Sequence, residues 1–376
     1  MFLVWYSLTS AIAIMPLAFS TGATLRQASR CIPVSILTGF LGSGKTTLLC
    51  QLLTHPQMRS TAVLVNEFGD IGIDDLLLKQ IAPNVVLLES GCICCTIGDD
   101  LASSLLQLLG QREAGEVPEF DRVIIETTGL ADPAPVLQGF MGQTLMASPF
   151  RMAGVITTVD AIHGSSQLDT HAESIKQAAI ADRLVITKSD LAAETSVQNL
   201  IKRLQRINPT AQIYQVANGC IEPGKLLDTG LWNPQTKGID IPRWLNDHAL
   251  GSPGYLRSAV QGSLSATSHH DDNIDTFFLT WDAPVRYTEF ADCLDRMLAT
   301  HGERLLRVKG ILNIEGASAP VVVHGVQKMF HPPVQLPAWP DATRGSKLVF
   351  ITQNLSRSII ENVLAAIVRA PVPPRH

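Results

Sequence analysis

From residue 33 onward, short apolar runs alternate with helical stretches along the chain. Pro33-Val34-Ser35-Ile36-Leu37 reads as a buried strand that runs into a Gly-rich turn, and Thr47 to Leu53 reads as the helix after it. Further strands are predicted at Ala62–Val65, Val85–Leu88, Val123–Ile125, Val155–Val159, Leu184–Ile186 and Gln212–Val216. Helical segments such as Leu101–Leu109 and Ser196–Ile207 separate several of them. Strands apolar on both faces and separated by helices imply a mostly parallel sheet covered by helices on both sides, an α/β fold.

The rhythm breaks near Leu226. Residues 227–275 are rich in Gly, Ser, Pro, Asn, Asp and His, with little sustained periodicity, and read as a linker. Order returns with strand Phe277–Leu279, helix Tyr287–Thr300, strands near 304–315 and 320–327, strand Leu348–Ile351 and helix Ser356–Val368. The expected division is an N-terminal extension over 1–30, an α/β domain over 31–226, the linker, and a smaller α+β domain over 276–370.

Composition narrows the function classes. A chain of 376 residues suffices for two domains with separate cores. The net charge of −5 supplies no electrostatic reason to expect nucleic acid or an anionic membrane as partner. Seven cysteines in this length are not a disulfide scaffold. Cys92, Cys94 and Cys95 crowd together, which fits a reducing compartment and hence the cytoplasm. The apolar segment Met1–Ser20 has no Lys or Arg before Arg26, unlike a signal peptide, and Pro16 interrupts it, unlike a spanning helix. It is expected to be dispensable, with a weak membrane contact as the alternative.

Candidate chemistry begins at Gly39-Phe40-Leu41-Gly42-Ser43-Gly44-Lys45-Thr46, a full match to G-x-x-x-x-G-K-[ST] between a predicted strand and a predicted helix. Gly39, Gly42, Ser43 and Gly44 let backbone N–H groups converge on phosphate oxygens, and the helix N-terminus adds a favourable dipole. Lys45 suits the β- and γ-phosphates, Thr46 suits Mg²⁺, and Thr47 follows in the same turn. Ile124-Ile125-Glu126-Thr127-Thr128-Gly129 ends a second strand in an acid, so Glu126 can hold Mg²⁺ or its water and Gly129 can offer an N–H to the γ-phosphate. Thr187-Lys188-Ser189-Asp190 follows a third strand. Asp190 can accept two hydrogen bonds from guanine and the stem of Lys188 can cover the ring. Thr187 stands where Asn is usual, which weakens one hydrogen-bonding role.

Between the first two motifs lies Gly91-Cys92-Ile93-Cys94-Cys95. Thiolates are soft ligands suited to Zn²⁺, Co²⁺ or Cu(I), and C-x-C-C leaves a fourth position open for a ligand from elsewhere or a water. Such an incomplete site suits a metal that comes and goes. Glu67, in Asn66-Glu67-Phe68-Gly69-Asp70, could see Mg²⁺, the attacking water or the thiolate-bound metal. His269 and His270 read as a solvated loop with a weak metal site as the alternative. His324 and His331 read as structural, and Cys31, Cys50, Cys220 and Cys293 as inert.

Together Gly39–Thr46, Asn66–Gly69, Gly91–Cys95, Glu126–Pro133 and Thr187–Asp190 resemble the CobW family of metal-handling P-loop GTPases. Arg304–Leu312, Val323–Pro332 and Ser346–Ile351 resemble that family's C-terminal domain. The resemblance spans roughly residues 33–368, and the N-terminal extension has no counterpart in it. It implies hydrolysis of GTP with Mg²⁺, with Lys45, Glu67 and Glu126 as the acting groups. It further implies Zn²⁺ or Co²⁺ on the cysteines and transfer to a client metalloprotein, and it leaves a homodimer open. Two rival readings remain. One is a P-loop kinase or ATPase acting on a small substrate, which has no need of Asp190. The other is a non-catalytic metal store or sensor, against which Lys45 and Thr46 argue.

Overall fold

A computed structural model of the protein describes residues 31–65, 86–89, 99–140, 149–227, 232–233, 238–239, 274–330, 333–336, 338–339 and 344–368. These fall into two compact units, one holding the described residues up to 239 and the other those from 274 onward.

The first unit is built on seven strands: β1 (Ile32–Gly39), β2 (Thr61–Val65), β3 (Val86–Glu89), β4 (Arg122–Glu126), β5 (Phe150–Asp160), β6 (Arg183–Thr187) and β7 (Gln212–Gln215). They lie in the order β3-β2-β4-β1-β5-β6-β7, and every pairing is parallel. Burial on both faces explains the unbroken apolar runs, and β2 and β6 are buried at every residue. Strand order reverses direction around β1, so the crevice at its carboxyl end is where a doubly wound sheet binds ligands.

The helices are α1 (Lys45–Leu53), α2 (Asp99–Glu113), α3 (Pro133–Phe140), α4 (Gly164–Thr170), α5 (Ala172–Ile180), α6 (Glu194–Ile207) and α7 (Pro223–Leu227). Leu48, Leu49, Leu52 and Leu53 of α1 bury against Leu37, Val63, Ile124 and Val185 of the sheet. Helix α6 follows the rule for a surface helix: Val197, Leu200, Leu204 and Ile207 are buried at helical spacing, and polar and charged residues fill the outer face. Helix α7 contributes Leu226 and Leu227 to the core. The stretch read from sequence as a linker holds a two-stranded antiparallel ladder, β8 (Trp232–Asn233) with β9 (Gly238–Ile239), too short to produce periodicity. The rest of 228–273 lies outside the described residues.

The second unit comprises β10 (Ile274–Trp281), α8 (Tyr287–His301), β11 (Leu305–Leu312), β12 (Val321–Val326), β13 (Met329–Phe330), β14 (Val334–Gln335), β15 (Ser346–Gln353) and α9 (Arg357–Val368). The sheet runs β10-β15-β11-β12-β13, with β14 also on β12, and all these pairings are antiparallel. Alternate residues Phe277, Leu279, Val308, Leu312, Val323, Leu348 and Phe350 form one face and pack with Phe290, Leu294 and Met297 of α8 and Ile360 and Leu364 of α9. Burial raises the Cys293 thiol pKa, only partly offset by Arg296, and keeps the group protonated in this core. His324 lies on the opposite face of β12, with Nε2 3.2 Å from Nη2 of Arg307.

Candidate functional site

The C-terminal edge of the parallel sheet gathers the motifs. The phosphate loop follows β1, and its turn places Gly42 and Gly44 at φ 70° and 85°, with Gly44 as N-cap of α1. Gly39 is required by space: a Cβ there would lie 2.2 Å from Oγ1 and 2.5 Å from the carbonyl O of Thr158. The side chain of Ser43 turns inward, 2.6 Å from the Thr158 hydroxyl. The Lys45 ammonium curls over the loop and donates to the Gly39 carbonyl at 3.0 Å and the Phe40 carbonyl at 3.3 Å. Thr47 is exposed in the first turn of α1.

Glu126 ends β4, in register with Leu37 of β1 and Val65 of β2. It is only 4% exposed, and its Oε1 accepts from the Thr46 hydroxyl at 3.1 Å. A hydroxyl and a carboxylate, both hard oxygen donors, meet beside the phosphate loop, and this donor set fits Mg²⁺. Beyond Glu126 the chain stays on the phosphate loop. Thr127 donates its N–H to the Leu37 carbonyl at 3.0 Å and its hydroxyl to Thr38 at 2.8 Å. Gly129 then wedges against Leu41, where a Cβ would meet the Leu41 nitrogen at 2.6 Å and its Cα at 2.8 Å.

The end of β6 is tied to the same loop. The Thr187 hydroxyl donates to the Ser43 carbonyl at 2.7 Å, so the residue standing in place of Asn retains a bond to the phosphate loop. Lys188 adopts a left-handed φ of 55° and donates to the Gly42 carbonyl at 2.8 Å and to Oδ2 of Asp160 at 2.6 Å. Asp160 ends β5, opposite Thr187, and is 1% exposed. Its Oδ1 accepts from the N–H groups of Ile162 at 2.7 Å and His163 at 3.2 Å. Burial pushes this carboxyl's pKa up, but the bonds from Lys188, Ile162 and His163 and the Lys188 charge outweigh it, so the pKa lies below its ordinary value. Asp190 is exposed in the turn Ser189–Leu191. Ser189 donates to the Val216 carbonyl at 3.1 Å and ties that turn to the end of β7.

Sequence reasoning missed two of these groups. Asp160 carried a signal, since β5 ends in an acid as β4 does. Gln177 on α5 carried none, because its side chain works on backbone: it donates to the carbonyls of Gly129 and Ala131 at 3.2 and 3.1 Å.

Glu67, Cys92, Cys94 and Cys95 lie outside the described residues, as do residues 1–30, His269, His270 and His331. Among the described residues no cluster of three or more His, Cys, Asp or Glu could hold a metal ion, and no helix is long and apolar enough to cross a membrane. The strand ends still impose a lateral order. From β3 through β2, β4, β1 and β5 to β6, the last residues are Glu89, Val65, Glu126, Gly39, Asp160 and Thr187.

Comparison with known proteins adds to this geometry. Residues 33–215 match the CobW/HypB/UreG nucleotide-binding domain, and residues 274–368 match the cobalamin synthesis protein cobW C-terminal domain. The chain is 33% identical to the zinc chaperone YjiA of Escherichia coli, over 89% of this chain and 98% of that protein. It is 30% identical to the zinc-regulated GTPase metalloprotein activator 1 of Schizosaccharomyces pombe, over 80% of this chain and 76% of that protein. The crystal structure of the zinc-bound YjiA GTPase from E. coli superposes with a TM-score of 0.64 at 29% identity, covering 90% of this chain and 99% of that one.

Proposed function

The chain belongs to the CobW family, and from that premise we propose that it is a GTP-hydrolysing zinc chaperone that loads the metal onto a client protein. The observation that supports this most is the lateral order of strand ends at one edge of the sheet. Glu126 lies between the phosphate loop after β1 and the end of β2, and β3 lies next beyond β2. In sequence, Glu67 follows Val65 of β2 closely, and the cysteine motif follows Glu89 of β3.

In this reading the backbone N–H groups of Gly39, Gly42, Ser43 and Gly44 cradle the phosphates, with Thr47 beside them at the start of α1. Lys45 faces the β- and γ-oxygens. Thr46 and Glu126 would hold Mg²⁺, which would neutralise charge on the phosphate oxygens. Gly129 offers its N–H to the γ-phosphate. A water attacks the γ-phosphorus, the bond to the β-bridging oxygen breaks, and GDP and phosphate leave. Thr187 and Lys188 brace the base-side loop, and Asp190 reads guanine. Cys92, Cys94 and Cys95 with Glu67 carry Zn²⁺, or Co²⁺, as cargo rather than as a resident cofactor. The reading places the protein in the cytoplasm, where GTP and reduced thiols coexist.

GTP turnover by the purified chain, compared with Lys45→Ala, tests the enzymatic half. The variant should fold and lose turnover. Equal turnover in both would remove the phosphate loop from the mechanism.

A further inference from the structure

Helix α5 touches both nucleotide loops. At its N-cap, His171 stacks on Phe40 of the phosphate loop with ring centroids 4.4 Å apart. One turn on, Lys176 pairs with Oδ2 of Asp132 at 3.1 Å. Next to it, Gln177 donates from one amide nitrogen to two carbonyls, Gly129 at 3.2 Å and Ala131 at 3.1 Å. Gln177 is 1% exposed, and the helix is pinned there because the Thr157 hydroxyl of β5 donates to the Gln177 carbonyl at 2.8 Å. The loop from Thr127 to Asp132 is therefore held from below by β1 and from the side by α5, with Gly129 pressed on Leu41 between them.

We propose that Gln177 is a positioning residue for hydrolysis: its carboxamide latches the loop after Glu126 so that Gly129 meets the γ-phosphate without further ordering. The inference rests on the reading of this chain as a GTPase in which Gly129 faces the γ-phosphate. Its physics is local. Bonds to the Gly129 and Ala131 carbonyls fix the peptide planes that follow the Gly129 N–H, which leaves that N–H only the rotation at its own Cα. Without the amide, the loop would have to order each time a γ-phosphate binds, and that cost would fall on GTP and not on GDP.

The test compares the full-length wild type with Gln177→Met, which keeps the length and apolar volume but donates nothing, and with Gln177→Glu. The carboxylate of the latter would face two carbonyl oxygens. Affinities for GDP and for a non-hydrolysable GTP analogue are measured with Mg²⁺, together with kcat and KM for GTP. Two lost hydrogen bonds of ordinary strength predict that the GTP-analogue-to-GDP affinity ratio and kcat each fall about tenfold in Gln177→Met and further in Gln177→Glu. GDP affinity should stay within about twofold of wild type. An unchanged ratio, a ratio shifted toward the GTP analogue, or an equal loss for both nucleotides would overturn the latch. If Gln177→Met fails to fold, Gln177→His, which can donate one bond at that depth, replaces it and should retain an intermediate ratio; a wild-type ratio there would overturn the proposal. Wild type that hydrolyses GTP while the variants behave like it refutes the latch alone. Wild type without GTP turnover refutes the GTPase reading and the latch with it.

Discussion

Replacing Asp160 with Ala removes the acceptor of three hydrogen bonds at once. The Lys188 ammonium and the N–H groups of Ile162 and His163 all point at this carboxylate, whose side chain is 2% exposed. A hydrogen bond involving a charged group contributes about 1.5–3 kcal/mol. The Lys188 side chain is 35% exposed, so water takes over part of its loss and the lower end applies to that bond. Taking all three bonds at that lower end gives an expected destabilisation of about 4–5 kcal/mol in denaturant unfolding. A second effect is predicted on the ligand. Lys188 also donates to Gly42, and without Asp160 its stem loses the anchor that holds it against the phosphate loop. GTP and GDP should then both bind about tenfold more weakly, since the contact lies on the base side. Asp160→Asn keeps an acceptor for the two N–H groups and should lose about half as much stability. The pH dependence follows by sign. The folded-state pKa of Asp160 is depressed, so its stabilisation is present above the ordinary carboxylate value of 3.8 and is lost as pH falls through the lower folded value. The gap between wild type and Asp160→Asn should therefore close below pH 3.8 and stay constant above pH 5 to within about 0.5 kcal/mol. Unfolding curves and nucleotide titrations check both parts. Full loss of stability with unchanged GTP and GDP affinity would refute the link between Asp160 and the base-side loop.

Other perturbations test other joints of the site. Gly129→Ala forces a Cβ to within 2.6 Å of the Leu41 backbone, so the two loops must part, at a cost of about 1–3 kcal/mol. GTP turnover should drop more than GDP affinity, and equal turnover by the variant in a phosphate-release assay would count against the contact. Asp190→Asn should erode the preference for GTP over ATP by at least about a hundredfold, because a site built to accept hydrogen bonds loses that capacity. Competition binding measures it, and a wild type that binds ATP and GTP equally would contradict guanine recognition.

The parallel sheet was legible because its strands are buried on both faces and therefore read as unbroken apolar runs; Val63, Leu64, Ile124 and Ile125 all lie within the core. The antiparallel unit was legible for a different reason, since β15 carries the buried apolar run Leu348–Ile351 between polar residues and α8 carries Phe290, Leu294 and Met297 at helical spacing. Helices α4 and α5 were not. Helix α5 buries Ser174, Ile175, Gln177, Ala178, Ala179 and Ile180, which leaves no polar stripe to set a period. At the site, motif spacing pointed to Lys45, Thr46 and Glu126, and the fold brings all three to the phosphate loop. Asp160 and Gln177 serve through other protein groups, and only the fold brings them to Lys188 and Gly129. Thr187 is a similar case. Its place in the T-K-x-D pattern gave no hint that its hydroxyl reaches the Ser43 carbonyl.

If GTP hydrolysis drives transfer of the metal to a client, nucleotide state and zinc affinity must be coupled. Zinc titrated calorimetrically into the nucleotide-free, GDP-bound and GTP-analogue-bound protein measures that coupling. Zinc affinity should differ between the GDP and GTP-analogue forms by about 5–150-fold, or about 1–3 kcal/mol, and the ratio of GTP-analogue to GDP affinity should change by the same factor when zinc is bound. Identical zinc affinity in all three forms would leave a GTPase that carries metal without using GTP to move it, and would rule out GTP-driven zinc transfer.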